Sequence, residues 1–321
     1  MIIISGASGF IGSCLVSYLN SSGITNLILI DKFDNKEKLK NLQNKHYSSL
    51  IDRDDFHTFI HENDHKIDFF FHLGARTDTG ETNKSVFDKL NLNFSKDVWI
   101  YCCNNDIPLI YASSAATYGN GDLGFNDEHS ETVKLMPLNE YASSKHTFDK
   151  WVLEQSSHPS FWYGFKFFNV FGPNEYHKAR MASVILHAYH QLKEKGKIQL
   201  FKSHANGISD GEQKRDFIYI KDLLKVLDHF YTNKPQNGLY NLGSGKAHSF
   251  NNLALAVFKA LDLSPKIEYI ETPEKYRKNY QYFTEAKIDK LKNAGYTNEF
   301  MSFESSVKDY VQEYLSTEKY L

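Results

Sequence analysis

The chain has 321 residues, of which 41% are hydrophobic and 24% charged, with a formal net charge of −2. Those proportions describe a soluble globular protein with core enough for one large domain or two modest ones, and the near-balanced charge excludes a nucleic-acid or anionic-membrane partner. Cys14, Cys102 and Cys103 form no CxxC and no zinc-spaced cluster with histidine, and neither a leader-like segment nor an apolar run of about 18 residues occurs; the expectation is a cytoplasmic protein without disulfides, membrane span or metal.

The first element reads as a short buried strand in "MIIIS", followed by "GASGFIG" and a helix. Ile11, Cys14, Leu15, Tyr18 and Leu19 supply the apolar stripe of that helix, and Gly23 closes it. A second strand, 27–30, ends at Asp31. In such a strand–turn–helix–strand unit Gly6 permits the tight turn, Gly9 lets backbone approach a pyrophosphate, and Gly12 lets the helix pack closely on the strand. The helix N-terminus then offers its N–H groups and dipole to the phosphates. Asp31 at the second strand end would bind a ribose 2′-hydroxyl and favour NAD, whereas Lys32, Lys38 and Arg53 could neutralise a 2′-phosphate. Further strand-like segments at 67–75, 107–114 and 161–172, with helical stretches between them, predict a Rossmann-like α/β fold. Its doubly wound parallel sheet would bind ligand outside the strand carboxyl ends.

"YASSAATYG" (111–119) and "NEYASSK" (139–145) carry the candidate chemistry. Tyr141 and Lys145 are four apart and share one helical face. An ammonium beside a phenol favours phenolate, which would make Tyr141 an acid/base near neutral pH, and Ser114 at a strand end could hold a substrate oxygen in line with it. The spacing GxxGxxG, the serine and the YxxxK together resemble the extended branch of the short-chain dehydrogenase/reductase superfamily. That resemblance implies cofactor contacts from Phe10 and Ile11 in the glycine turn, from Leu73, Gly74, Ala75, Arg76 and Thr77, from Asn91 on the next helix and from Val170, besides Tyr141 and Lys145. Dehydratases of the superfamily carry an acidic pair where this chain has Ala115 and Ala116, so an epimerase or a reductase is expected instead.

"FFNVFGPNEYHKARMASV", "KRDFIYIKD", "YNLGSG" and "YQYFTEA" extend the likeness over nearly the whole chain, which resembles the ADP-L-glycero-D-manno-heptose 6-epimerase family. The resemblance implies an enzyme of lipopolysaccharide core heptose synthesis that acts on ADP-heptose. NADP rather than NAD would remove a hydride from C6 and return it to the other face. Because the hydride donor is fixed, the carbonyl must turn, and two acid/bases are needed: Tyr141 and Lys178, the latter also beside the cofactor. It further implies substrate contacts from Ser114, Asn169, Arg180, His187, Phe201, Lys202, Ser203, His204, Arg215 and Tyr280, with Arg215 as the pyrophosphate clamp. Two departures stand out. Tyr176 replaces the family's glycine before His177, and Arg180 replaces a small residue. A homo-oligomer is expected, and because no linker-like Pro/Gly/Ser run or internal repeat divides the chain, so are interleaved domains: residues 1–168, with returning segments near 214–242 and 281–297, binding cofactor, and 169–213, 243–280 and 298–321 binding substrate. Two alternatives stay open, a UDP-hexose 4-epimerase of the same superfamily and a catalytically silent NADP-binding regulator.

Overall fold

The structure, a computed structural model, describes residues 1–62, 65–277 and 280–321. Its strands in chain order are β1 (Ile2–Ser5), β2 (Leu27–Asp31), β3 (Ser49–Asp52), β4 (Phe69–His72), β5 (Leu109–Ser114), β6 (Trp162–Phe167), β7 (Asn169–Phe171), β8 (Ile198–Phe201), β9 (Lys214–Tyr219), β10 (Gly238–Leu242), β11 (Ala247–Ser249) and β12 (Ile267–Ile270). Seven of them form one parallel sheet in the order β10-β6-β5-β4-β1-β2-β3. The order reverses beside β1, whose Ile2 pairs with Leu27 of β2 on one side and Phe69 of β4 on the other. A crevice must open there, because the connections leaving β1 and β4 run to opposite faces.

The strands are continuous apolar runs because both sheet faces are covered. Side chains alternate between faces. Ile2, Ile4, Phe69 and Phe71 join one core, packed under the helices Phe10–Ser21 and Ile220–Asn233, while Ile3, Ile28, Ile30 and Phe70 join another under Phe94–Asn104 and Glu140–Leu153. Each buried phenylalanine of "FFFH" contributes on the order of 2 kcal/mol in burial alone. The Rossmann-like, doubly wound parallel fold expected from the sequence is the observed one.

One element differs from its sequence reading. The run 161–172 is two strands, not one: β6 ends at Phe167, and β7 leaves the central sheet to pair in parallel with β9, Asn169 opposite Phe217. The hinge is Phe168, whose N–H donates to Leu242 O (3.1 Å) and whose ring is buried with Ala115, Tyr118 and Phe125. Burying that ring turns the backbone from one sheet to the other, an effect that apolar patterning along the run does not encode. β7, β9 and β11 form a three-stranded sheet, and β8 pairs with β12. Among the described residues no helix is long and apolar enough to cross a membrane.

Candidate active site

The crevice beside β1 is a cleft of about 620 Å3. Its floor is the glycine turn. Gly6 sits at φ +71, and a Cβ there would lie 2.5 Å from Gly74 Cα, so the β1 and β4 turns touch backbone to backbone. A Cβ on Gly12 would lie 2.2 Å from Gly6 O, which is why the helix can start so close to the strand. That helix, Phe10–Ser21, has Gly9 at its N-cap and no side-chain cap, so its first N–H groups remain available to a ligand in the cleft. Phe10, Ile11, Leu73, Ala75, Arg76 and Thr77 line the same cleft.

Asp31, Lys32, Lys38 and Arg53 line its far end. The Asp31 carboxylate is buried and fully engaged: one oxygen accepts from Ser8 N (3.0 Å) and Ser8 Oγ (2.8 Å), the other from Lys32 N (2.7 Å) and the Lys38 ammonium. Lys32 pairs with Asp52 (3.2 Å) and Asp54 (2.8 Å), and Arg53 with Asp54 (3.4 Å). Asp31 therefore braces the glycine turn and is charge-balanced by Lys38, an arrangement that mutes its repulsion of a further phosphate.

Ser114 closes β5 and caps the short turn Ala115–Tyr118, accepting from Ala116 N at 3.1 Å. Tyr141 stands in the first turn of the helix Glu140–Leu153, which packs against the Ala115–Tyr118 turn. Burial pushes the Tyr141 phenol upward, and the nearby Ser114 side chain opposes the push. This differs from the lowering expected of a neighbouring lysine, because the Lys145 ammonium is turned to Ala112 O, 2.7 Å away. Burial in turn lowers Lys145 to about 8, with Asp149 pulling it back up. Asn91, wholly buried in a π-helical turn, accepts from Arg76 N (2.8 Å) and donates to Arg76 O (3.0 Å) and Ser144 Oγ (3.0 Å). It ties the cleft-lining segment 73–77 to the helix that carries Tyr141 and Lys145.

Lys178, on the turn Tyr176–Met181, lines the cleft beside the glycine turn, whereas Ser114, Tyr141 and Lys145 are not among its lining residues. The Lys178 ammonium lies 5.6 Å from the centroid of the Phe10 ring, and burial lowers its pKa while Glu175 raises it. Arg180, next along, pairs with Asp78, whose carboxylate also accepts from Gly80 N at 3.0 Å. The pair bridges the loop after β4 to the Lys178 turn, so Arg180 is engaged within the protein.

The remaining candidates lie on or beside β7, β8 and β9 and on the helix Val184–Lys195. Arg215 stacks near Tyr280 (5.5 Å) and Phe250 (5.8 Å) and donates to Gln281 O, while Gln281 donates to Gly119 O beside the Ser114 turn. Phe201 O accepts from Gln213 (3.2 Å), Ser203 N donates to Asp210 (2.8 Å), and His204 N donates to Tyr282 Oη (3.1 Å). Lys202 is paired with Glu271 at 2.9 Å. Asn169 donates to Asp216 O (3.0 Å), and Val170 packs against the core. His187 lies in the first turn of the helix Val184–Lys195, its N–H donating to Ser183 O at 3.2 Å. Sequence reasoning did not single out Ser8, Asp78, His177 or Glu175, each of which makes a contact distant in sequence, with Asp31, Arg180, Asn41 and Tyr310; the family-like motif around 172–184 was the one available signal for the last two.

Comparison with known proteins agrees with this geometry. Residues 2–243 match the model of the NAD dependent epimerase/dehydratase family. The chain is 45% identical to an ADP-L-glycero-D-manno-heptose-6-epimerase from Fusobacterium nucleatum, covering 99% of both chains, and 42% identical to one from Nitratidesulfovibrio vulgaris, covering 98% of both. Among solved structures it superposes on the ADP-L-glycero-D-manno-heptose-6-epimerase of Helicobacter pylori with a TM-score of 0.81 at 28% identity, over 97% of this chain and 95% of that one. With the matched segment spanning the whole nucleotide cleft and both candidate acid/base elements, the chain belongs to the NAD dependent epimerase/dehydratase family.

Proposed function

We propose that the chain interconverts ADP-D-glycero-D-manno-heptose and ADP-L-glycero-D-manno-heptose by transient oxidation at C6, using NADP. The residues of the cleft fit a dinucleotide. Gly6 and Gly12 let the turn and the helix pack backbone to backbone at the cleft floor, the helix N-terminus beside Gly9 has no side-chain cap, and Lys38 and Arg53 line the end where a 2′-phosphate would lie. Bound there, the nicotinamide supplies hydride acceptor and donor. Asn91, paired with Arg76, would keep the segment 73–77 against it, and Lys145 would be the residue to hold its ribose.

What supports the reading is a pair of candidate acid/bases on separate elements, Tyr141 on the helix Glu140–Leu153 and Lys178 on the turn Tyr176–Met181. Tyr141, near Ser114, takes and returns the proton of the C6 hydroxyl in one configuration. Lys178, poised by burial, does so at its Nζ in the other. A C–H at C6 is not acidic, so direct deprotonation is closed to any side chain here. A ketone formed at C6 turns before it is reduced, and its oxygen then faces a different protein group. Arg215 with Tyr280 and the segment 201–204 hold the ADP part, on the substrate-binding portion formed by 169–213, 243–280 and 298–321.

Purified protein incubated with ADP-D-glycero-D-manno-heptose should yield the L-glycero epimer, resolved by NMR, and should leave UDP-galactose unchanged. Lys178→Met and Tyr141→Phe should each abolish net inversion while retaining bound nucleotide, because each removes proton transfer for one orientation only. A Lys178→Met enzyme at wild-type rate would refute the two-group scheme. Mass spectrometry of the nucleotide released on denaturation should identify NADP, and NAD would refute the cofactor assignment.

A further inference from the structure

The turn that presents Lys178 folds around a buried carboxylate. Glu175 is 1% exposed. One of its oxygens accepts from Ser183 Oγ (2.6 Å), Tyr310 Oη (3.0 Å) and Gly172 N (3.4 Å), and the other accepts from Ser183 N. These donors lie on both sides of Lys178 in sequence and on the C-terminal helix Phe303–Asp309 and its continuation. Lys178 N itself donates to Glu175 O at 2.9 Å. Gly172 and Ser183 thus become the two fixed ends of one loop, pinned to a single side chain, with Lys178 at its middle.

A carboxylate has no reason to be buried for stability alone. Desolvation costs more than neutral donors return, and an apolar residue of similar volume packed against Tyr310 would serve a purely structural loop better. What a carboxylate adds is a negative charge behind the ammonium that the reaction uses. Burial raises Glu175, yet its hydrogen bonds to Ser183 and Gly172 and the charge of Lys178 all act to keep it ionised. His177, next to Lys178, is lowered to about 4 by burial and so stays neutral. Asp31, Lys38, Asp78 and Arg180 line the same cleft, but Asp31 is paired with Lys38 and Asp78 with Arg180, and Glu175 is the negative group acting on Lys178.

We propose that Glu175 is a positioning residue for Lys178: its carboxylate pins both ends of the loop and supplies the charge that sets where Lys178 exchanges its proton. The proposal rests on Lys178 being the second acid/base, as argued above. Whether Lys178 acts as acid or base in a given direction, removing the negative charge makes its ammonium less stable, so the limb of the pH–kcat profile that Lys178 governs moves to lower pH.

The test is the pH dependence of kcat and KM with ADP-heptose for wild type, Glu175→Gln and Tyr310→Phe, with Lys178→Met alongside. Glu175→Gln should move one limb down by about one pH unit and leave the other in place. Tyr310→Phe, which keeps the charge but removes a donor, should leave both limbs in place and lower kcat several-fold with KM and retained cofactor unchanged. A folded Glu175→Gln protein whose limbs coincide with wild type overturns the proposal. If that variant does not fold, a Tyr310→Phe enzyme with kcat within twofold of wild type overturns it. Lys178→Met separates the two levels: activity in that variant refutes the two-group scheme itself, whereas its inactivity together with unmoved Glu175→Gln limbs refutes only the role of Glu175.

Discussion

Gly6→Ala adds one methyl group where the β1 and β4 turns meet, and its effect can be worked out from the geometry. At φ +71 an alanine costs about 1 kcal/mol in backbone strain. Its Cβ would lie 2.5 Å from Gly74 Cα and 2.6 Å from Gly74 N. Both are backbone atoms, so no side chain can swing aside. Recovering an ordinary contact requires the two turns to part by roughly 1 Å, and with them the segment 73–77 on one side and the helix N-terminus on the other. A displacement of about 1 Å in a positioning element costs on the order of 100-fold in rate. The kcat/KM with ADP-heptose should therefore fall by about that factor, and titration calorimetry should show NADP bound more weakly. Thermal unfolding should fall by roughly 5 °C, since a cost of about 1–2 kcal/mol moves the midpoint by a few degrees in a protein of this size. A Gly6→Ala protein that binds NADP within twofold of wild type at an unchanged midpoint would refute the claim that the glycine contact builds the cleft.

Three further outcomes follow from the structure. Asp149 and Lys166 form an ion pair at 2.7 Å with both side chains 0% exposed, and Asp149 also takes Ser113 Oγ at 2.7 Å. Asp149→Ala strands the ammonium and should cost about 3–5 kcal/mol by chemical denaturation, whereas Asp149→Leu with Lys166→Met should recover most of it; a single variant as stable as wild type would contradict this. Lys38→Met should weaken NADP about tenfold in a binding titration and leave NAD within twofold, since it removes a charge offered to the 2′-phosphate. Asn91→Ala leaves the Arg76 N–H and carbonyl unpaired and should cost about 1–3 kcal/mol of stability, with kcat falling more than KM rises.

The parts of the molecule that were legible in the sequence are those written in local signals. The strand–glycine turn–helix needs Gly6 and Gly12 at fixed offsets, and the YxxxK pair needs only one helical turn, so both could be read without knowing the tertiary structure. What could not be read depends on distant contacts. Asp31 looks like a ribose ligand in sequence, yet Ser8, 23 residues earlier, takes one of its oxygens. The apolar run ending in Gly172 looks like one strand until Phe168 finds its pocket against Tyr118 and Phe125. Glu175 looks like a loop acid until Tyr310, 135 residues later, closes over it. Arg180 and Lys202 look like free cations for substrate, whereas Asp78 and Glu271 engage them in the folded chain.

The central claim is that inversion at C6 proceeds by removal and return of one hydride between two protein acid/bases. Its most direct test is NMR of ADP-heptose after full equilibration with the enzyme in D2O. The L-glycero epimer should form with hydrogen retained at C6 and at the neighbouring carbons, because the hydrogen never exchanges with solvent. Deuterium at C6, or at C5 through enolisation of the ketone, would contradict direct return of the hydride.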